Sequence, residues 1–203
     1  MAFLLSILLL SASAFAGNFE LKQSRFEVTY SRRAQKQLIK IKGALIIGKG
    51  ETERSILNAL RDRVESNLDT HIILDVFGGD IAVVNKIYDE LKLKCHDRGY
   101  KACTITTEVE MFRHCASACI PLFMVGDKRI AAERTNWGFH QAALVEGVIL
   151  IPFMSEYVLR QKGVNSKWLK NNKAMFNTLK ITWLEPLQLN GSGIITHIIG
   201  HPK

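Results

Sequence analysis

Residues 71–92, "HIILDVFGGDIAVVNKIYDELK", decide the fold class. Residues 72–77 are apolar apart from Asp75, Gly78-Gly79 end the stretch, and Asp80 can cap a helix starting just after it. Beyond Asp80, Ile81, Val84, Ile87, Tyr88 and Leu91 recur at helical spacing. A buried strand passing directly into an amphipathic helix is the building unit of an α/β layered domain with a largely parallel sheet.

The pattern extends to both sides. Upstream, "RFEVTYS" alternates like a strand, and "GALIIGKG" reads as a buried strand closed by glycines. "ETERSILNALRDRVES" then places Ile56, Leu57, Leu60 and Val64 on one helical face. Downstream, "ACTITTEV" reads as a strand and "ASACIPLFMVG" as a buried helix. Pro121 fits that helix only in its first turn, so the helix begins close to Ser117. "KRIAA" and "NWGFHQ" follow as short strands. From about residue 150 the chain turns helical, through "PFMSEYVLRQKG" and "SKWLKNNKAMFNTL". The last segment, "ITWLEPLQLNGSGIITHII", reads as a turn, a short helix and a strand.

A chain of 203 residues with 47% hydrophobic and 23% charged content can bury one real core, which excludes wholesale disorder. Residues 1–16, "MAFLLSILLLSASAFA", lie outside that domain: an apolar run leads to Ala14-Phe15-Ala16, a signal-peptide cleavage pattern. The run is about a dozen residues, short of the roughly 20 needed to span a bilayer. The mature domain is therefore 17–203, exported to a periplasmic or extracellular space. The n-region carries no Lys or Arg, which leaves an uncleaved membrane anchor as the rival reading.

Export makes disulfides the default for Cys95, Cys103, Cys115 and Cys119, with three connectivities open. A metal site built with His96 and His114 is the rival, but no C-x-x-C pair supports it, and none is expected. The net charge of +8 gathers in "SRRAQKQLIKIKG" and "RQKGVNSKWLKNNK". Such stretches form a solvated basic face, or one that meets anionic lipid. Aromatics do not interleave with them as a single-strand groove requires, so nucleic acid is not expected as a partner.

Three features could carry chemistry. Gly78-Gly79 ends a strand, Ser117 heads a buried helix between Cys115 and Cys119, and His140 closes the strand "NWGFH". A serine beside a histidine can lose its proton as it attacks a carbonyl, and the oxyanion then needs N–H donors, for which Gly79 and Ala118 are placed. Read singly, each feature has a structural account: a turn, helix packing, a core histidine.

In this order the motifs resemble the Clp protease proteolytic subunit family and its exported relatives. The likeness rests on "LDVFGGDIAVVNKIYDEL" and "CASACIPLFMVGDKRIAAERTNWGFHQ", helped by "GALIIGKGETERSILNALRDRV" and "WLEPLQLNGSGIIT". It spans about residues 42–199. The resemblance implies the ClpP/crotonase superfold of stacked β-β-α units. It implies Ser117 as nucleophile, His140 as general base, Gly79 and Ala118 as oxyanion donors, and Gly78 as the shaper of the turn. It also implies a peptide or unfolded protein as substrate, a homo-oligomer, and no cofactor. Phe77 stands where the family has proline. The family's His-orienting Asp has no counterpart: Ile181 is near its place and no Asp follows His140, leaving Asn177, Glu185 and Glu156 as stand-ins. The leading expectation is an exported serine peptidase. The alternatives are a catalytically inactive scaffold of the same fold, a crotonase-type acyl-CoA enzyme, and a Ser-Lys enzyme using Lys128 or Lys162.

Overall fold

The computed structural model describes residues 19–23, 26–33, 36–45, 68–95, 103–141 and 154–200, with shorter pieces at 57–58, 60–62, 64–65, 143–144 and 149–150. Residues 1–18, including the expected signal peptide, residues 46–56 and the stretch carrying His96 lie outside the described residues. The chain is a mixed α/β domain built on one ten-stranded sheet.

An antiparallel meander opens it: β1 (Phe19–Gln23), β2 (Phe26–Arg33) and β3 (Lys36–Leu45). β3 starts earlier than the "GALII" run suggested. Its first half alternates buried Gln37, Ile39 and Ile41 with exposed Lys36, Lys40 and Lys42, so the basic cluster is the outer face of a strand. Gln37, fully buried, is held by its side-chain amide: Nε2 donates to the carbonyls of Glu65 and Leu68 and to Thr70 Oγ1. From β3 onward the main path is parallel: β4 (Asp69–Gly79), β5 (Ile105–Val109), β7 (Lys128–Ala132) and β12 (His197–Ile199).

β4 is where the sheet forks. Its residues Thr70–Ile73 pair with β5, while Val76 pairs with Cys115 of β6 (His114–Ala116). β6 continues in parallel to β8 (Asn136–Phe139), and β11 (Thr182–Leu184) closes that branch antiparallel. A minor hairpin joins β9 (Ala143–Leu144) to β10 (Ile149–Leu150).

Period-two burial gives the sheet a closed and an open face. Ile72, Leu74, Val76, Cys115, Trp137 and Phe139 are buried on the closed face. There they join a core with Val84, Ile87 and Leu91 of α1 (Ile81–Cys95), each large side chain contributing about 1.5–3 kcal/mol. α1 starts as the sequence indicated, since Asp80 Oδ1 accepts the Ala82 N–H at 2.7 Å. α2 is shorter than expected, only Cys119–Phe123, with Pro121 in its first turn. Ala116 belongs to β6, a strand of three residues and too short to show a period.

The helical C-terminal portion comprises α3 (Met154–Gln161), α4 (Ser166–Asn171) and 3-10 turns at Lys173–Phe176 and Pro186–Leu189. Asn165 caps α4 by accepting the Lys167 and Trp168 N–H groups. Arg129 ties this tail back to the sheet, its guanidinium donating to the carbonyls of Gly126, Gly193 and Ile194. Among the described residues no helix is long and apolar enough to cross a membrane.

Candidate active site

β4, β6 and β8 end side by side, pointing the same way, and the candidate residues sit at those carboxyl ends. This is where parallel sheets open toward ligands. Ala116 pairs with Gly138, so Ser117 follows immediately beyond the ladder. Its N–H donates to the Gly138 carbonyl at 2.8 Å, and its own carbonyl accepts from the Ile120 N–H at 3.1 Å. Between those two bonds the chain must turn from strand to helix in one residue. Ser117 does so with φ of 56°, in the left-handed region that a residue with a Cβ seldom occupies.

Gly78 makes room for this turn. At φ of 129° it presents its bare Cα to Ser117: a Cβ there would stand 3.1 Å from Ser117 Cβ and 3.6 Å from Oγ. β4 runs through the glycine pair, pairing Gly78 with Ala44 and Gly79 with Leu45. Ala118 is buried, and among the described residues no backbone carbonyl accepts its N–H. Small size matters on the other side too, because a Cβ on Gly138 would meet Ala116, Ile181 and Trp183 within 3 Å.

His140 lies one residue past the end of β8 and is half-buried. Its Nδ1 is 2.6 Å from the Gln141 carbonyl oxygen. A carbonyl only accepts, so Nδ1 carries the proton and Nε2 is the basic nitrogen. The strand end is itself fixed, as the Gln141 N–H donates to the Thr178 carbonyl at 2.8 Å. Ile181 precedes the Thr182–Phe139 end of the β8–β11 ladder, and its Cγ2 lies over Gly138, 2.9 Å from where a Cβ there would stand.

The proposed stand-ins for the missing Asp are elsewhere engaged or face solvent. Glu156 pairs with Arg160 one turn along α3. Glu185 is exposed at the start of a 3-10 turn, its N–H donating to Gln188 Oε1. Asn177 is exposed and caps the preceding turn through its N–H. Lys162 lies over the Tyr88 ring, 3.1 Å from its centroid, and Lys128 is exposed at the start of β7. The carbonyl of Gln141 is the feature that side-chain reading could not find, since every residue carries one.

The cysteines pair as Cys95–Cys103 and Cys115–Cys119, choosing one of the three open connectivities. The first joins the end of α1 to the approach to β5, and the second brackets Ser117. The His114 ring stacks on Phe77 at 4.9 Å and meets Trp183 edge-on at 5.9 Å, while buried Asp75 accepts the His114 backbone N–H. Phe77 and Trp183 are 52% and 45% exposed, which leaves an aromatic surface on the open face beside the site. No protein-family model and no curated protein matches this chain.

Proposed function

We propose that this protein is an exported serine hydrolase of the Clp type, cleaving peptide bonds in unfolded or membrane-associated protein. One observation carries the reading: Ser117 is held at a left-handed turn between Gly78 and β8, the strand that ends one residue before His140. Packing alone does not call for a serine in that conformation. Strain at a small polar residue, where three parallel strands end, is the usual mark of a functional position.

In this reading His140 Nε2 takes the Ser117 proton as Oγ attacks the substrate carbonyl. The Ala118 N–H, with that of Gly79, faces the oxyanion, and each strong donor of this kind contributes about 3–4 kcal/mol. His140 then gives that proton to the amine nitrogen as the C–N bond breaks. The neutral imidazole next deprotonates the water that attacks the acyl-enzyme, and the proton returns to Ser117 as the acid product leaves. The Gln141 carbonyl takes over part of the absent carboxylate's work. In a serine triad, an uncharged amide in that position costs about 10⁴ in turnover because it favours the wrong tautomer. A carbonyl keeps the right tautomer and lacks only the charge, so the enzyme should be slow rather than dead.

The forked parallel sheet supports the ClpP/crotonase superfold as the finer description of the fold. Two disulfide pairs support an oxidising compartment. The exposed lysines of β3 offer a basic face to an anionic membrane, and the open sheet face offers a surface for a homo-oligomer.

Fluorophosphonate labelling of the mature protein, beside Ser117→Ala and His140→Ala, tests this. Labelling of the wild type alone, with the adduct mapped to Ser117, is the expected result. Folded wild type that labels no better than the variants would leave an inactive scaffold of the same fold.

A further inference from the structure

We infer that the Cys115–Cys119 disulfide is a positioning element for Ser117, so that the redox state of this pair sets the serine's reactivity. The inference rests on the nucleophile reading above and adds a means of control to it.

Cys115 is the middle residue of β6 and Cys119 the first of α2, so the bridge joins a strand end to a helix start across three residues. Ser117 is the central one. The two Cα atoms are 5.2 Å apart, whereas an extended chain would carry residue 119 about 13 Å from residue 115. The bridge thus forbids β6 from running on through Ser117. Without it, the left-handed turn depends on the Ser117–Gly138 hydrogen bond and the packing at Gly78. A residue with a Cβ prefers the right-handed basin over the left-handed one by roughly five- to thirtyfold, so that turn is costly to hold with local contacts alone. Ala116 and Ala118, the other residues inside the loop, are buried and carry no side chain that could brace it.

The second disulfide has no such relation to the site. Cys95–Cys103 joins α1 to the approach to β5 with a sequence separation of 8 against 4, and both of its cysteines are buried. It is the control: another buried short-range disulfide in a different place. Both sulfurs of the Cys115–Cys119 pair are buried, so opening the bridge requires a local fluctuation of the turn. A dithiol reductant would supply two electrons and two protons, leaving two thiols here and becoming a disulfide itself.

The test compares Cys115→Ala/Cys119→Ala with Cys95→Ala/Cys103→Ala, both as folded, full mature chains. The rate constant of fluorophosphonate inactivation is separated from the inhibitor's apparent affinity. We expect the first variant to lose about tenfold in the rate constant with affinity held within threefold, and the second to stay within threefold in both. Loss of fold alone would reduce the fraction labelled and leave the rate of the folded fraction unchanged. Equal rates in all three proteins, or equal losses in both variants, would overturn the inference. If the first variant does not fold, the Cys95→Ala/Cys103→Ala variant, which keeps the Cys115–Cys119 bridge alone, is treated with dithiothreitol and then reoxidised instead. Its rate should fall and return, and a rate indifferent to reduction counts against the clamp. If wild type does not label at all, the hydrolase reading fails separately. Amide exchange then decides: faster exchange at the Ser117 N–H in the first variant alone supports the clamp, and unchanged exchange refutes it.

Discussion

Replacing Gly78 with alanine tests whether the glycine pair exists for the serine. At φ of 129°, Gly78 lies beyond even the small left-handed well open to other residues, near +50 to +70°. Such backbone strain costs about 1–3 kcal/mol. The new Cβ would stand 3.1 Å from Ser117 Cβ and 3.7 Å from the Ala116 carbonyl. Ser117 must then give by a few tenths of an ångström, and forced packing of this sort adds about 1 kcal/mol. The sum is about 2–4 kcal/mol. Gly191→Ala is the control, because its φ of 74° is also left-handed but nothing lies within 4 Å of the added Cβ. That change should cost about 1–2 kcal/mol, from the backbone alone. Urea unfolding gives both stabilities, and fluorophosphonate labelling of the folded variants reads the site. Gly78→Ala should lose more stability than Gly191→Ala and at least tenfold in labelling rate, while Gly191→Ala labels like wild type. If Gly78→Ala is no costlier than its control and labels normally, the glycine is an ordinary turn residue and the packing argument is wrong.

Other perturbations probe the base, the tail and the pH response. Ile181→Asp sets a carboxylate over Gly138, just beyond the end of the β8–β11 ladder, and if it reaches an imidazole otherwise oriented by the neutral Gln141 carbonyl, the labelling rate should rise severalfold. No gain in a folded variant would show that His140 is not the base or that residue 181 does not reach it. Arg129→Lys keeps the charge but cannot reach the carbonyls of Gly126, Gly193 and Ile194 together; we expect about 2–4 kcal/mol of lost stability, checked by thermal unfolding. A loss below about 0.5 kcal/mol would mean the tail is held by its apolar contacts alone. Burial lowers the Lys162 amine to about 8 from its usual 10.5; Asp89 opposes that shift and Lys92 adds to it. Between those two pH values the unfolded chain holds a proton that the folded chain has released, so this group makes stability rise with pH across that window. Tyr88 acts oppositely above pH 10, because burial first, and Asp89 second, raise its phenol. Denaturant titrations from about pH 7 to 10 should show the rise in wild type and its disappearance in Lys162→Met; parallel curves would exclude Lys162 as the source.

Residues 71–92 and 115–123, taken only as a string of side chains, are enough for the α/β class, the strand into Gly78-Gly79, the Asp80 cap and a helix start close to Ser117 with Pro121 in its first turn. Each of these is a local matter, since periods of 2 and 3.6, capping and the limits on proline act between residues a few positions apart. The order of glycine pair, serine and histidine was equally open to reading. The remaining features came from contacts remote along the chain. β6 is three residues long, and its place between β4 and β8 comes from partners roughly 20 to 40 positions away. The basic run at 31–43 supplies the end of β2 and most of β3, because Gln37, Ile39 and Ile41 find a buried face that the charges beside them conceal. Four cysteines permit three pairings, and the one adopted depends on where α1, β5, β6 and α2 meet. The orientation of His140 comes from the carbonyl of Gln141, a main-chain group that no side-chain pattern announces. Local propensity acts along the chain, whereas pairing, register and main-chain hydrogen bonding depend on segments that become neighbours only once the sheet has closed.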